Sequence, residues 1–376
     1  MRRARPPYRS GVLRSATALL LALAVLPGAL LGQDNWRTDF SKATVPLDEI
    51  VSGGPPKDGI PAIDDPSFVS VRAADRWLGD REPVLVVEHE GVVKGYPFQI
   101  LIWHEIVNDE VGGLPLSVTY CPLCNTALVF HRRHEGVVRD FGTTGRLRHS
   151  DMVMYDRQTE TWWQQATGEG IVGELAGSRL ELYPVQTMAW QDFKRVHPDA
   201  PILSRETGYD RPYGRNPYTG YDRSRGPMAT FFSKRVDDRL PAMERVAAFS
   251  VGDAEVAYPF TTLEERRVLN DRVGGDAVVV WWTPGTSSAL DAGQIAQGRE
   301  VGSSAVFRRT VDGRALTFET ERGTRFKDRE TGSIWDLNGV ALDGPLRGQR
   351  LEPIAHGEYL WFAWAAFRPE TDIRGR

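Results

Sequence analysis

Cysteine is nearly absent from this chain. Its 376 residues hold only Cys121 and Cys124, which is not a disulfide framework. A core of this size needs no such staples. Long hydrophobic runs are lacking as well. The apolar stretch near the N-terminus, 16–26, is about 11 residues, short of the roughly 20 of a spanning helix. A composition of 41% hydrophobic and 26% charged residues, ordinary for a globular protein, excludes a multi-span membrane protein. There is no excess of positive charge: 46 Lys+Arg stand against 50 Asp+Glu. Nucleic acid is thereby disfavoured as a partner, because phosphate binding needs a basic surface. No P-loop, Gly-x-Gly-x-x-Gly, His-Glu-x-x-His or Gly-x-Ser-x-Gly occurs, so nucleotide cofactors and the common hydrolase classes lose support.

The N-terminus has the order of a secretory signal. Five arginines (Arg2, Arg3, Arg5, Arg9, Arg14) come first, then the apolar run, then Pro27-Gly28 and small residues. Residues 1–32 are expected to be a signal peptide, with cleavage near Gly32/Gln33 and a periplasmic or secreted mature protein. Membrane attachment is expected only if that segment stays uncleaved. No cysteine lies near residue 32, which excludes a lipoprotein anchor.

The chain repeats itself. At an offset of 162, Tyr96-Pro97-Phe98 falls on Tyr258-Pro259-Phe260, Asn108-Asp109 on Asn270-Asp271, and Val111-Gly112-Gly113 on Val273-Gly274-Gly275. After an insertion, Asp156-Arg157 and Trp163 meet Asp328-Arg329 and Trp335 at an offset of 172. Ordered matches in one direction point to a tandem duplication. The division read from the sequence is an extended lead-in at 33–80, a first unit at 81–205, a Gly/Pro/Tyr-rich linker at 206–240 and a second, degenerate unit at 241–372. The tyrosines of the linker make it a strap across a surface rather than a free tether.

Within the first unit, 83–98 reads as a hairpin turning at Glu90-Gly91. Residues 99–108 carry apolar side chains at helical spacing, and Gly112-Gly113 stops that helix. A strand follows at 116–120. Residues 127–132 and 137–141 read as a second hairpin, 153–155 and 161–164 as strands, and 186–196 as a closing helix. One short helix is expected near 67–78. The fold class is α+β, β-dominated, with two short helices in each strand-rich unit.

The strongest chemical feature is Cys121-Pro122-Leu123-Cys124, directly after a strand. Two thiols at this spacing chelate a metal or close a small disulfide. The sequel Asn125–His131 reads as turn then strand, which disfavours thioredoxin-like chemistry, where the first cysteine opens a helix. His104 and His131 are the candidate nitrogen ligands, and imidazole with thiolates suits one zinc or copper ion. The duplication acts as an internal control: Cys121, Cys124, His104 and His131 become Thr283, Thr286, Arg266 and Arg308. Trp162, Trp163, Tyr155 and Asp156 are candidate walls of a ligand pocket, although core packing and a structural turn account for them as well. His134 and His149 lie in Arg-rich loops and read as solvated surface.

The blocks YPFQILIWHEIVNDEVGG, VTYCPLCNTALVF, FGTTGRLRHSDMVMYDRQTETWWQQ and RVHPDAPILSRETGYDRPYGRNPYTGY, in that order over roughly 80–225, resemble the domain of unknown function 3179 family. The resemblance implies an exported bacterial or archaeal protein of uncharacterised activity, and places His104, Cys121 and Cys124 on its motif. An acidic residue commonly stands in that pattern where this chain has His131, and Asn where it has His149. His104 is therefore the better nitrogen donor. The leading reading is a Cys/Cys/His zinc or copper site, with enzyme activity left open. The alternatives are a non-catalytic binding protein braced by a Cys121–Cys124 disulfide, or a thiol–disulfide redox protein. An unknown small ligand or an exported protein is the expected partner.

Overall fold

In the computed structural model the described residues are 35–375 and Met1; the expected signal segment otherwise lies outside them. Strand residues outnumber helical ones, 40% to 12%, so the protein is a β-dominated α+β fold. The first half runs β1 (Pro83–His89), β2 (Val92–Pro97), α1 (Phe98–His104), β3 (Ile106–Val111), β4 (Leu114–Cys121), β5 (Thr126–His131), β6 (Phe141–Arg148), β7 (Asp151–Asp156), β8 (Trp162–Gln164), β9 (Gln186–Ala189) and α2 (Trp190–Val196). The second half runs β10 (Arg245–Val251), β11 (Ala254–Pro259), α3 (Phe260–Arg266), β12 (Val268–Val273), β13 (Asp276–Thr283), β14 (Ser303–Arg308), β15 (Phe318–Thr320), β16 (Phe326–Asp328), β17 (Ile334–Trp335), β18 (Gly357–Leu360) and α4 (Trp361–Phe367).

Among the described residues each half builds three larger sheets in corresponding order, besides one two-stranded hairpin. The strands β9-β1-β2 match β18-β10-β11, β3-β4-β5 match β12-β13-β14, and β6-β7-β8 match β15-β16-β17. Individual hydrogen bonds recur with them. The Tyr96 hydroxyl donates to Asp109 Oδ2 (2.6 Å) and the Tyr258 hydroxyl to Asp271 Oδ2 (2.8 Å). Asn108 bridges the main chain of Phe141, and Asn270 that of Phe318. The Trp163 and Trp335 indoles donate to Asp156 and Asp328. Residues matching at offsets of 162 and 172 thus do the same structural work in both halves.

Four sequence expectations need correction. The helix expected over 99–108 ends at His104. Glu105 takes a left-handed conformation (φ 59°), and Ile106–Val111 pairs with β4 as a strand. Its Ile, Val and Val suit a strand, and Gly112-Gly113 is a hairpin turn rather than a helix stop. The strand at 127–132 pairs with β4, not with 137–141; the local hairpin is only Arg133–His134 with Val137–Val138. The closing helix starts at Trp190, because Gln186–Ala189 is the edge strand beside β1. In the lead-in the helix spans only Val71–Ala74.

The two halves share their interior. One core cluster joins Ile100, Val118 and Phe130 to Tyr359, Leu360 and Trp361; another joins Val84, Trp190 and Phe193 to Val279, Trp281 and Phe307. Strand β18 reaches across to the first half, where Leu360 N donates to Cys124 O (2.9 Å) and Asn125 Nδ2 donates to Glu358 O (3.0 Å). The turn carrying the cysteines is thereby clamped by the opposite half.

Candidate metal centre

The Cys121–Cys124 turn is a reversal between two antiparallel strands. Cys121 pairs with Thr126, Cys124 N donates to Cys121 O (3.3 Å), and Asn125 completes the turn at φ 53°. Neither thiol sits at a helix N-terminus, as the sequel to the motif indicated. Both are fully buried and free.

A third donor arrives from another sheet. Asp151 opens β7 after a tight hairpin in which His149 and Ser150 both have positive φ (52° and 68°). Such a turn normally favours Asn or Gly. Here Ser150 N donates to the strap at Phe231 O (2.7 Å), while the Cys121 thiol approaches Ser150 O at 3.7 Å. One ligand atom each from Cys121, Cys124 and Asp151 lies within 4.8 Å of the others, and all three residues are buried.

The electrostatics are those of a desolvated acid cluster. Burial pushes both thiols up, so each is protonated in the absence of a cation. Burial also pushes Asp151 up to about 6, opposed by hydrogen bonds from Ala166 N (2.8 Å) and Gln164 Nε2 (2.6 Å) to its Oδ2. Its Oδ1 is buried and takes no N–H or O–H donor, facing the Cys121 and Cys124 thiols instead, while the Tyr120 and Tyr221 hydroxyls and Ser150 Oγ are buried without a partner. Buried polar atoms are nearly always paired, so orphans gathered at one place call for an explanation. Glu105, in its left-handed position after α1, is pushed up to about 8 by burial and then by the charge of Asp151. It lines a cavity of about 120 Å³ together with Leu123 of the cysteine turn, Met152 and Tyr218 of the strap.

The expected histidine ligands stand elsewhere. His104 is buried at the end of α1 with both nitrogens engaged: Nδ1 donates to Pro61 O (2.7 Å) and Nε2 accepts from the Tyr213 hydroxyl (2.6 Å). A carbonyl only accepts, which fixes the proton on Nδ1, and burial lowers the pKa of this neutral ring. His131 pairs with Leu116 at the far end of β4, five residues or roughly 17 Å along the strand from Cys121. Its ring packs against Tyr183 instead. His149, expected at the surface, is buried against Phe232 and Phe367.

The expected pocket residues are structural. Trp162 and Trp163 are wholly buried, and Asp156 accepts from Thr159 N, Thr159 Oγ1 and Trp163 Nε1. Thr331 and Trp335 make the same bonds to Asp328. Tyr155 donates to Asp58 (2.5 Å).

Asp151 and Glu105 went unselected as site residues in the sequence, yet the internal control reaches both. At the offset of 172 Asp151 falls on Gly323, and at 162 Glu105 falls on Arg267. In the second half Thr283 and Thr286 are satisfied by Ser303 (3.2 and 3.3 Å), a closed set of hydroxyls.

A family model described as Protein of unknown function (DUF3179) matches residues 57–371. Neither the curated proteins nor the solved structures compared with the chain gave a match.

Proposed function

Because the chain belongs to the DUF3179 family, whose description assigns no activity, we propose a function from the site itself: Cys121, Cys124 and Asp151 hold one zinc ion with an open coordination position, in an exported protein. The observation that carries this reading is the convergence of one ligand atom each from buried Cys121, Cys124 and Asp151 within 4.8 Å, with Asp151 Oδ1 taking no N–H or O–H donor. Three protein donors with a fourth position open are the pattern of catalytic rather than structural zinc. A carboxylate with two sulfurs favours zinc over copper(I), which prefers an all-sulfur set. The arginine-led N-terminal pattern supports export. Outside the cytoplasm an ion would also protect the two thiols from oxidation.

Bound zinc supplies Lewis acidity and lowers the pKa of a coordinated water to about 7. Glu105 is the proton-transfer group: burial favours its protonated form, and it lines the cavity beside the cysteine turn. The cavity wall is mainly apolar, with Ile60, Leu123, Leu147 and Met152 beside Glu105 and Arg146, so the substrate is small with a largely apolar body. This reading is metal-assisted addition of water to such a substrate.

Elemental analysis of the purified protein tests it. About one zinc per chain is expected, with loss in the Cys121→Ser/Cys124→Ser double variant. A metal-free protein after reconstitution under reducing conditions would overturn it. A Cys121–Cys124 disulfide in the protein as purified, with no metal bound after its reduction, would leave a braced binding domain instead.

A further inference from the structure

A second cavity, of about 240 Å³, lies at the seam of the two halves, away from the cysteines. Its apolar walls come from both: Val86 on β1 and Val185 before β9 from the first, Ala305 on β14 and Ile354 before β18 from the second. All four are buried, and from this shared core the cavity opens to an exposed rim at Glu90, Arg350 and Pro353. A dry cavity of about 150 Å³ already takes up benzene, so this one has room for a ring carrying a short substituent.

Polar side chains make up about half of the wall, and its charges are largely paired. Arg350 Nη1 donates to Glu88 Oε2 (2.9 Å), which leaves no uncompensated charge at the seam apart from Glu90 at the exposed rim. His197 Nε2 accepts from Asn338 Nδ2 (3.1 Å), so the proton of the neutral ring is on Nδ1. The Tyr183 hydroxyl donates to Glu88 O (2.6 Å) and therefore accepts from His89 Nδ1 (3.0 Å), leaving His89 Nε2 as an acceptor. Burial lowers the pKa of His197 and of His356, the third imidazole of the wall. His197 Nδ1–H and His89 Nε2 thus remain without protein partners among the described residues, in a half-open cavity whose wall is part apolar and part polar with paired charges.

We propose that this seam cavity binds a small uncharged molecule, a single ring bearing a hydroxyl or amide, which donates to one imidazole and accepts from the other. The proposal is independent of the metal reading, since it shares none of its residues. Benzyl alcohol, benzoate and benzylamine are the probes, titrated into the purified protein and followed by NMR and thermal shift. Saturable binding of benzyl alcohol is expected, at least tenfold tighter than of either charged analogue. Ala305→Leu, which fills the cavity, is expected to weaken it at least tenfold. His197→Phe, which keeps the ring and removes the donor, is expected to bind toluene and benzyl alcohol alike. Tighter binding of a charged probe, no saturable binding of any, or binding indifferent to both substitutions would overturn the proposal.

Discussion

Asp151 reaches the sulfur of Cys121 across two sheets. Cys121 ends a strand of one sheet and Asp151 opens a strand of another, yet their ligand atoms lie within 4.8 Å. The contact depends on the tight His149-Ser150 hairpin, which the strap holds through the bond from Ser150 N to Phe231 O (2.7 Å). Metal content should therefore follow Asp151 and not His104. Asp151→Asn is expected to lower zinc occupancy at least tenfold, while His104→Gln retains about one ion per chain, as elemental analysis would read. The reverse pattern would restore the histidine ligand and remove the carboxylate.

Glu105 makes the stability of the metal-free protein depend on pH. Its pKa is about 8 when folded, above the 4.5 of an ordinary glutamate. The folded state therefore holds a proton that the unfolded chain releases, so the contribution is full below about pH 4.5 and is lost as pH rises to about 8. The loss is of order 3–5 kcal/mol. Glu105→Gln should remove that slope, so the difference between wild type and variant in urea midpoint should favour the variant at pH 8 and vanish near pH 4. A constant difference across that range would show that Glu105 does not titrate in the folded protein as described.

His104 is a latch for the strap. Its ring joins Pro61 O of the lead-in to the Tyr213 hydroxyl, which also contacts Thr207 Oγ1 (2.5 Å). Tyr213→Phe leaves Nε2 without its donor and should cost about 1–3 kcal/mol in global stability or in local opening of the strap. Limited proteolysis within 206–220 should accelerate, with metal content unchanged. Unchanged cleavage there would mean that other contacts hold the strap.

Asp156 and Asp328 are equivalent turn anchors. Each accepts a main-chain N–H, a threonine hydroxyl and an indole N–H. Alanine at either position should cost about 3 kcal/mol or more, because several buried donors lose their acceptor at once. Denaturant midpoints would test this. Asp156 also pairs with the buried Arg139 (3.3 Å), so its loss should be the larger. A smaller loss at Asp156 would place the weight of the turn elsewhere. Neither variant is expected to change metal content at native conditions.

The hairpin at 83–98, the strand-to-turn setting of the Cys-x-x-Cys motif and the correspondence of Asp156 with Asp328 are all legible in the sequence. They rest on local rules: alternation, turn residues and short-range spacing act within a few residues of chain. The same rules misread 106–111 and 186–189. Apolar residues there continue a helical pattern, and only the pairing partners, β4 and β1, make them strands. Spacing likewise suggested His104 and His131 as ligands. Sheet register carries His131 to the opposite end of its strand, and the strap claims both nitrogens of His104. The sequence by itself determined which half keeps the thiols and which elements recur. Tertiary structure decided that a carboxylate and not an imidazole stands beside the two thiols, because the members of a buried cluster are chosen by which strands end at the same point in space, and that is a property of sheet packing rather than of neighbours in the chain.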